Sequence, residues 1–127
     1  MTNQSVLITG ANSGIGRAAA ELLASRAYRV WATMRSPEKG RTLAEESARN
    51  GWDLRVLPLD VRQEESVREA FRRAGPVDVL VNNAGITDDG LMLRMGIEQW
   101  EGVIGTNLTS AYLCIKAALR GMLRARS

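Results

Sequence analysis

The sequence predicts an α/β fold in which helices cover both faces of a doubly wound parallel sheet. Three observations carry that expectation. Short runs rich in Val, Leu and Ile alternate with longer segments of helical period. The short runs lack strict alternation of apolar and polar residues, as strands covered on both faces do. A cluster of glycines stands where the first run gives way to the first helical segment.

The first strand is expected over Ser5 to Thr9, and the glycine cluster leads from it into a helix over the Ala- and Leu-rich segment Ile15 to Arg26. Arg29 to Met34 follows as the second strand. Ser36 before Pro37 reads as an N-cap followed by proline at the first helical position, and Asn50-Gly51 reads as the matching stop, so a helix is expected over Pro37 to Arg49. Leu54 to Leu59 is the third strand, Glu64 to Arg73 the third helix and Val77 to Asn82 the fourth strand. A loop through Asp88-Asp89-Gly90 then leads to a helical stretch from about Glu98 to the arginine-rich end. No repeat, low-complexity tract or linker interrupts this order, so residues 1–127 are expected to form a single domain.

Composition narrows the classes of function. With 45% hydrophobic and 24% charged residues, the chain has the balance of one globular domain. The formal charge of +3 arises from 17 basic and 14 acidic residues that are interspersed rather than blocked. A local group, Arg120, Arg124 and Arg126, suits a helix C-terminus, and no recognition motif accompanies it, so no nucleic acid partner is expected. One cysteine, Cys114, and no histidine leave neither an internal disulfide nor the usual Cys/His metal cluster, and no metal is expected. Neither a signal peptide nor an apolar run of about 18 residues is present, which points away from a membrane and towards the cytoplasm.

The segment that carries chemistry is Thr9-Gly10-Ala11-Asn12-Ser13-Gly14-Ile15-Gly16. Glycines between a strand and a helix permit a tight turn and a close approach of backbone to a pyrophosphate, while the helix N-terminus offers N–H groups and a favourable dipole. A plain glycine-rich turn is the alternative. The Gly-x-x-x-Gly-x-Gly spacing, with Leu59-Asp60-Val61, Asn82-Asn83-Ala84-Gly85 and Thr106-Asn107-Leu108 in the same order, resembles the short-chain dehydrogenase/reductase family. The resemblance implies a Rossmann-like sheet with strand order 3-2-1-4, a chain that covers only the N-terminal part of the family's fold, and a fourth strand that lacks its usual neighbour.

By that resemblance Gly10, Asn12, Ser13, Gly14, Ile15 and Gly16 hold the cofactor's phosphates. Asp60 contacts the adenine ring, Val61 supports it with backbone groups, and Asn83, Ala84 and Gly85 line the adenosine side of the cleft. Each has a structural alternative: Asp60 as a turn residue capping the helix near Glu64, and Asn82-Asn83 with Gly85 as strand-ending turn chemistry. Relatives that prefer NAD place an acid at the end of the second strand. Here Met34 and Arg35 stand there, so no carboxylate repels a 2′-phosphate and a guanidinium is available to hold one. NADP(H) is therefore the expected cofactor, with a merely solvated Arg35 as the alternative.

Within the family, Asn82 to Thr87 followed by Leu91-Met92-Leu93-Arg94-Met95 and Trp100 is similar to the 3-oxoacyl-acyl-carrier-protein reductases, whereas Trp31 to Pro37 is closer to other carbonyl reductases. The resemblance thus implies reduction of a carbonyl, a 3-oxoacyl thioester or similar ketone, by an enzyme of fatty acid biosynthesis. It also implies homo-oligomers whose four-helix interface includes the last helix here. Family catalysis uses a tyrosine, a serine, a lysine and an asparagine. Asn107 matches the asparagine of the proton relay, or is a solvated mid-helix residue. The other three belong to a following strand and helix, so the chain alone is expected to be inactive. Tyr112 and Lys116 have the Tyr-x-x-x-Lys spacing but follow Asn107 on the same helix with no serine strand before them, and are not expected to be the active pair.

Overall fold

The computed structural model describes residues 4–83 and 96–126. Four parallel strands, β1 (Ser5–Ile8), β2 (Arg29–Met34), β3 (Leu54–Pro58) and β4 (Val79–Val81), lie in the order β3-β2-β1-β4. Four helices, α1 (Gly14–Ser25), α2 (Arg41–Asn50), α3 (Glu64–Ala74) and α4 (Ile97–Arg126), follow the strands in turn. The expected fold and strand order are both present.

Alternating side chains of each strand feed opposite faces of the sheet, and both faces of the central strands β1 and β2 are buried. Val6, Ile8, Val30, Ala32 and Met34 pack with Ala20 and Ala24 of α1 and Leu43 of α2. Leu7, Trp31 and Leu57 pack on the other face with Val67 and Phe71 of α3 and Cys114 and Ala118 of α4. Small residues at four-residue spacing, Gly16, Ala20 and Ala24, form the buried face of α1 and let its backbone approach the sheet closely. In α3, Glu64 and Glu65 occupy the first turn and Arg72 and Arg73 the last, complementing the helix dipole at each end.

Helix α4 turns Ser110, Cys114 and Ala118 inwards. Ile104, Leu108, Tyr112, Ile115, Leu119 and Leu123 recur every three or four residues and are exposed, so the helix carries a second apolar stripe that the described residues leave uncovered. Strand β4 pairs with β1 alone among the described residues.

Two elements differ from the sequence-based expectation by more than one residue at an end. The segment expected to be helical from Pro37 opens as a 3-10 turn, Pro37–Gly40, in which Lys39 N–H donates to Ser36 O at 3.0 Å, and α2 begins only at Arg41. Ser36 stands at the N-cap, but its hydroxyl makes no capping bond. Strand β4 is shorter than Val77 to Asn82, because Val77 turns into the core beside α3 and Asp78 is bound to Ser5. The stop at Asn50-Gly51 is present, with Gly51 in the left-handed conformation that closes α2.

Candidate functional site

The carboxyl ends of the strands are stitched together at one end of the sheet. Thr33 Oγ1 donates to Ile8 O at 2.8 Å, Ala11 N–H to Thr33 O at 3.0 Å and Leu59 N–H to Met34 O at 2.8 Å. Thr9 N–H donates to Val81 O at 3.1 Å, and Thr9 Oγ1 accepts from Asn83 N–H at 3.0 Å. These bonds fix the spacing between the loops that follow β1, β2, β3 and β4, which is where ligands bind in open sheets of this kind.

The glycine loop folds back on itself. Asn83 Nδ2 donates to Gly10 O at 3.1 Å, and Gly16 passes directly beneath both groups. A methyl group at Gly16 would stand 2.3 Å from Gly10 O and 2.5 Å from Asn83 Nδ2, so only glycine fits there. Ser13 is the N-cap of α1 in extended conformation, and its hydroxyl makes no capping bond, so it does not satisfy the first-turn N–H groups.

Between the loops lies a cavity of about 410 Å³. Its walls are Gly10, Asn12 and Ser13 from the glycine loop, Met34, Arg35, Ser36 and Lys39 from the end of β2, Leu59, Asp60, Val61 and Arg62 after β3, and Asn83 and Thr106 opposite. A methyl group at Gly40 would lie 2.8 Å from Met34 Sδ and 3.0 Å from Val56 Cγ1. That close approach seats the 3-10 turn on the end of β2, which brings Lys39 to the rim.

The cavity is predominantly basic. Asp60 is its only acid among the described residues, and Arg62 takes it up: Nε donates to Oδ1 at 3.2 Å, Nη2 to Oδ2 at 3.4 Å, and the Arg62 backbone N–H to Oδ1 at 3.1 Å. The Arg62 guanidinium holds the Asp60 carboxyl below the usual carboxylate range, with a further contribution from the charge of Arg35. Among the described residues neither Arg35 nor Lys39 has an ion-pair partner. The edge of the cavity next to β2 therefore carries two cations free to meet an anion.

Of the residues singled out from sequence, Gly10, Asn12, Ser13, Arg35, Asp60, Val61 and Asn83 come together in this wall. Gly14, Ile15 and Gly16 do not line it. They form the first turn of α1, where Ile15 is 81% exposed and any contribution to an anion comes from backbone. Ala84 and Gly85 lie outside the described residues, as do Leu91 to Met95. Asn107 is half-buried in α4 and is not part of the wall, whereas its neighbour Thr106 is. Asp60 does not cap α3, whose N-cap is Gln63. It accepts from Arg62 N–H two residues on, the geometry of an Asx turn, and its own N–H donates to Ser66 Oγ at 2.8 Å.

Sequence reasoning missed Ser36, Lys39, Arg62 and Thr106. Tyr112 and Lys116 stand apart from this cavity. Lys116 Nζ lies 5.8 Å from the Tyr112 ring centroid, Tyr112 is exposed, and Lys116 lines a separate groove of about 540 Å³ between α3 and α4. No described helix is long and apolar enough to cross a membrane.

A parallel sheet of this order, with a glycine loop and a basic cavity at its carboxyl edge, is a Rossmann-like sheet of the α/β class. The family model described as short chain dehydrogenase matches residues 4–127, and the chain belongs to that family. It is 44% identical over 121 residues to the 3-oxoacyl-[acyl-carrier-protein] reductase of Escherichia coli (strain K12), covering 94% of this chain and 50% of that enzyme. The corresponding reductase of Vibrio harveyi is 43% identical over 122 residues, covering 95% and 50%. A metagenomic short-chain oxidoreductase, solved in complex with NADP, superposes with a TM-score of 0.84 at 32% identity, over 98% of this chain and 59% of that one. The chain spans about half the length of the curated relatives it matches.

Proposed function

We propose that this chain is the cofactor-binding part of an NADP(H)-dependent reductase that acts on a carbonyl, a 3-oxoacyl thioester or similar ketone. The observation that carries the cofactor is the pair of cations, Arg35 and Lys39, at the end of β2, neither of which has an ion-pair partner among the described residues, the nearby Asp60 being taken up by Arg62. Two cations at this edge favour a 2′-phosphate, and Arg35 has the planar fork that binds phosphate with two parallel bonds. Gly10, Asn12, Ser13 and the first turn of α1 would hold the pyrophosphate, and Asp60, Val61 and Asn83 to Gly85 the adenosine.

Bound NADPH supplies the hydride for such a reduction. In this chain, Asn107 next to the wall residue Thr106 is the member of the catalytic set we assign, as a proton-relay residue. Neither Tyr112 nor Lys116 lines the cavity, which supports their exclusion as the acid and its partner, and with it the expectation that the 127 residues alone bind cofactor without turnover. The similarity to acyl-carrier-protein reductases supports the substrate class and a cytoplasmic setting. The uncovered stripe on α4 supports association of copies through that helix.

Calorimetric titration with NADP⁺ and NAD⁺ tests the cofactor. NADP⁺ should bind at least tenfold more tightly, and Arg35→Asp should reverse the order by placing a carboxylate where the phosphate sits. Lys39→Ala should weaken NADP⁺ alone. Equal affinity for the two dinucleotides in the unaltered chain would overturn the assignment.

A further inference from the structure

We propose that Arg62 is a positioning residue for base recognition: its guanidinium clamps the Asp60 carboxylate into the one orientation that selects a purine bearing an amino group at carbon 6. The inference rests on the adenosine assignment above and goes further, because it concerns what aims the acid rather than the acid itself.

The geometry is specific to this segment. Arg62 follows Asp60 by two residues in the turn Asp60-Val61-Arg62, with Gln63 N–H donating to Asp60 O at 3.0 Å, and its side chain doubles back to the Asp60 carboxylate. Nε and Nη2 each reach a different carboxylate oxygen, and the backbone N–H of Arg62 also reaches Oδ1. A carboxylate held at both oxygens is restrained about its terminal torsion, which is otherwise broad. Each oxygen keeps a second acceptor direction, since an ionised carboxylate offers about four lone-pair sites. What remains for a ligand is an acceptor with a set direction at the cavity wall, where both residues are lining groups.

Such an acceptor favours a ring amino group, which donates, and repels a ring carbonyl oxygen at the same position. The other charged groups on this cavity are Arg35 at the end of β2 and Lys39 on the 3-10 turn. Both are cations and cannot replace the aim of the carboxylate, though Arg35 adds to keeping it ionised. An Arg62 that served only as one more positive charge would help every phosphate-bearing ligand alike.

That distinction sets the experiment. NADP⁺ and its hypoxanthine analogue, in which a carbonyl replaces the amino group and ring nitrogen 1 carries a proton, are titrated into the chain and into Arg62→Ala and Arg62→Lys, with circular dichroism confirming that each is folded. The unaltered chain should prefer NADP⁺, and Arg62→Ala should lower the ratio of the two affinities about fivefold, the worth of one ordinary hydrogen bond. Arg62→Lys, which restores charge without the fork, should leave the ratio low. The Asp60 carboxyl, followed by carbon NMR, should titrate at higher pH in Arg62→Ala. A fall in both affinities with an unchanged ratio, or a ratio fully restored by lysine, would overturn the clamp while leaving the nucleotide assignment intact. Failure of the unaltered chain to bind NADP⁺ would overturn the assignment and the inference with it.

Discussion

The side-chain amide of Asn83 donates to the carbonyl oxygen of Gly10 at 3.1 Å and so joins the end of β4 to the first turn of the glycine loop, 73 residues away. The bond ties together two of the residues that line the cavity. Asn83→Ala removes it from an exposed position, so the expected loss of stability is small, about 0.5–1 kcal/mol. The effect on NADP⁺ affinity should be larger than that on the denaturation midpoint, because a loosened Gly10 carbonyl disorders the loop locally. Titration and chemical denaturation of the same variant separate the two.

Gly16→Ala should be far more damaging. The added methyl meets the Gly10 backbone carbonyl as well as the Asn83 amide, so the loop itself must shift and not only a side-chain tip. Overpacking of this kind costs about 1–3 kcal/mol. Loss of measurable NADP⁺ binding with a lowered melting temperature is expected, whereas Gly96→Ala, where a methyl meets open space, should leave binding unchanged.

Ser5→Ala should destabilise the fold without touching the cavity. Ser5 is buried; its Oγ donates to Pro76 O at 3.0 Å and accepts from Asp78 N–H at 3.2 Å. Asp78 N–H keeps a second acceptor in Ser5 O at 3.1 Å, so the substitution leaves mainly Pro76 O without its partner. A loss of about 1–2 kcal/mol in urea denaturation is expected, with NADP⁺ affinity of the folded fraction unchanged.

The Asp60–Arg62 pair predicts a pH dependence with a definite sign. Because the folded carboxyl sits below its ordinary value, the pair contributes fully above the unfolded value of about 3.9, and the contribution is lost as pH falls through the lowered folded value. The difference in denaturation midpoint between the unaltered chain and Arg62→Ala should therefore be present at pH 6 and should vanish in strong acid. Both side chains are partly open to water, so added salt should shrink it at every pH.

Cys114 offers a reporter of opening. It is fully buried against the sheet, and burial pushes its thiol up to about 11, so at neutral pH it is neither accessible nor ionised. Thiol reagents should label it only when α4 leaves the sheet. The labelling rate should rise with urea in step with the unfolding transition; rapid labelling in native buffer would show that α4 is detached from α3.

The strands, the helices and the glycine loop were legible in the sequence because each is specified by neighbours along the chain: apolar runs, four-residue spacing, and Asn50-Gly51 as a stop. Asp60 and Asn83 were singled out through motif order, and Arg35 through its place at the end of the second strand; all three line the cavity. Lys39 escaped notice because its place at the cavity depends on Gly40 lying against Met34 and Val56, a contact between segments that no local pattern announces. Arg62 escaped because its partner lies two residues back, a spacing outside the helical pairs that sequence reading looks for. The late start of α2 has the same origin: Ser36-Pro37 marks a beginning correctly, and packing on the end of β2 makes the first turn a tight one.

The pairing of β1 with both β2 and β4 has a consequence for how the molecule comes to exist. β1 is the earliest strand made and β4 the latest of the four, so the sheet grows outward from β1 to β2 and β3 on one side while its other side waits. Ser5 and Asp78 must find each other across 73 residues, a search that is slower than the local pairings before it. On a translating ribosome the three earlier strands would thus precede the Asn83 amide that braces the glycine loop.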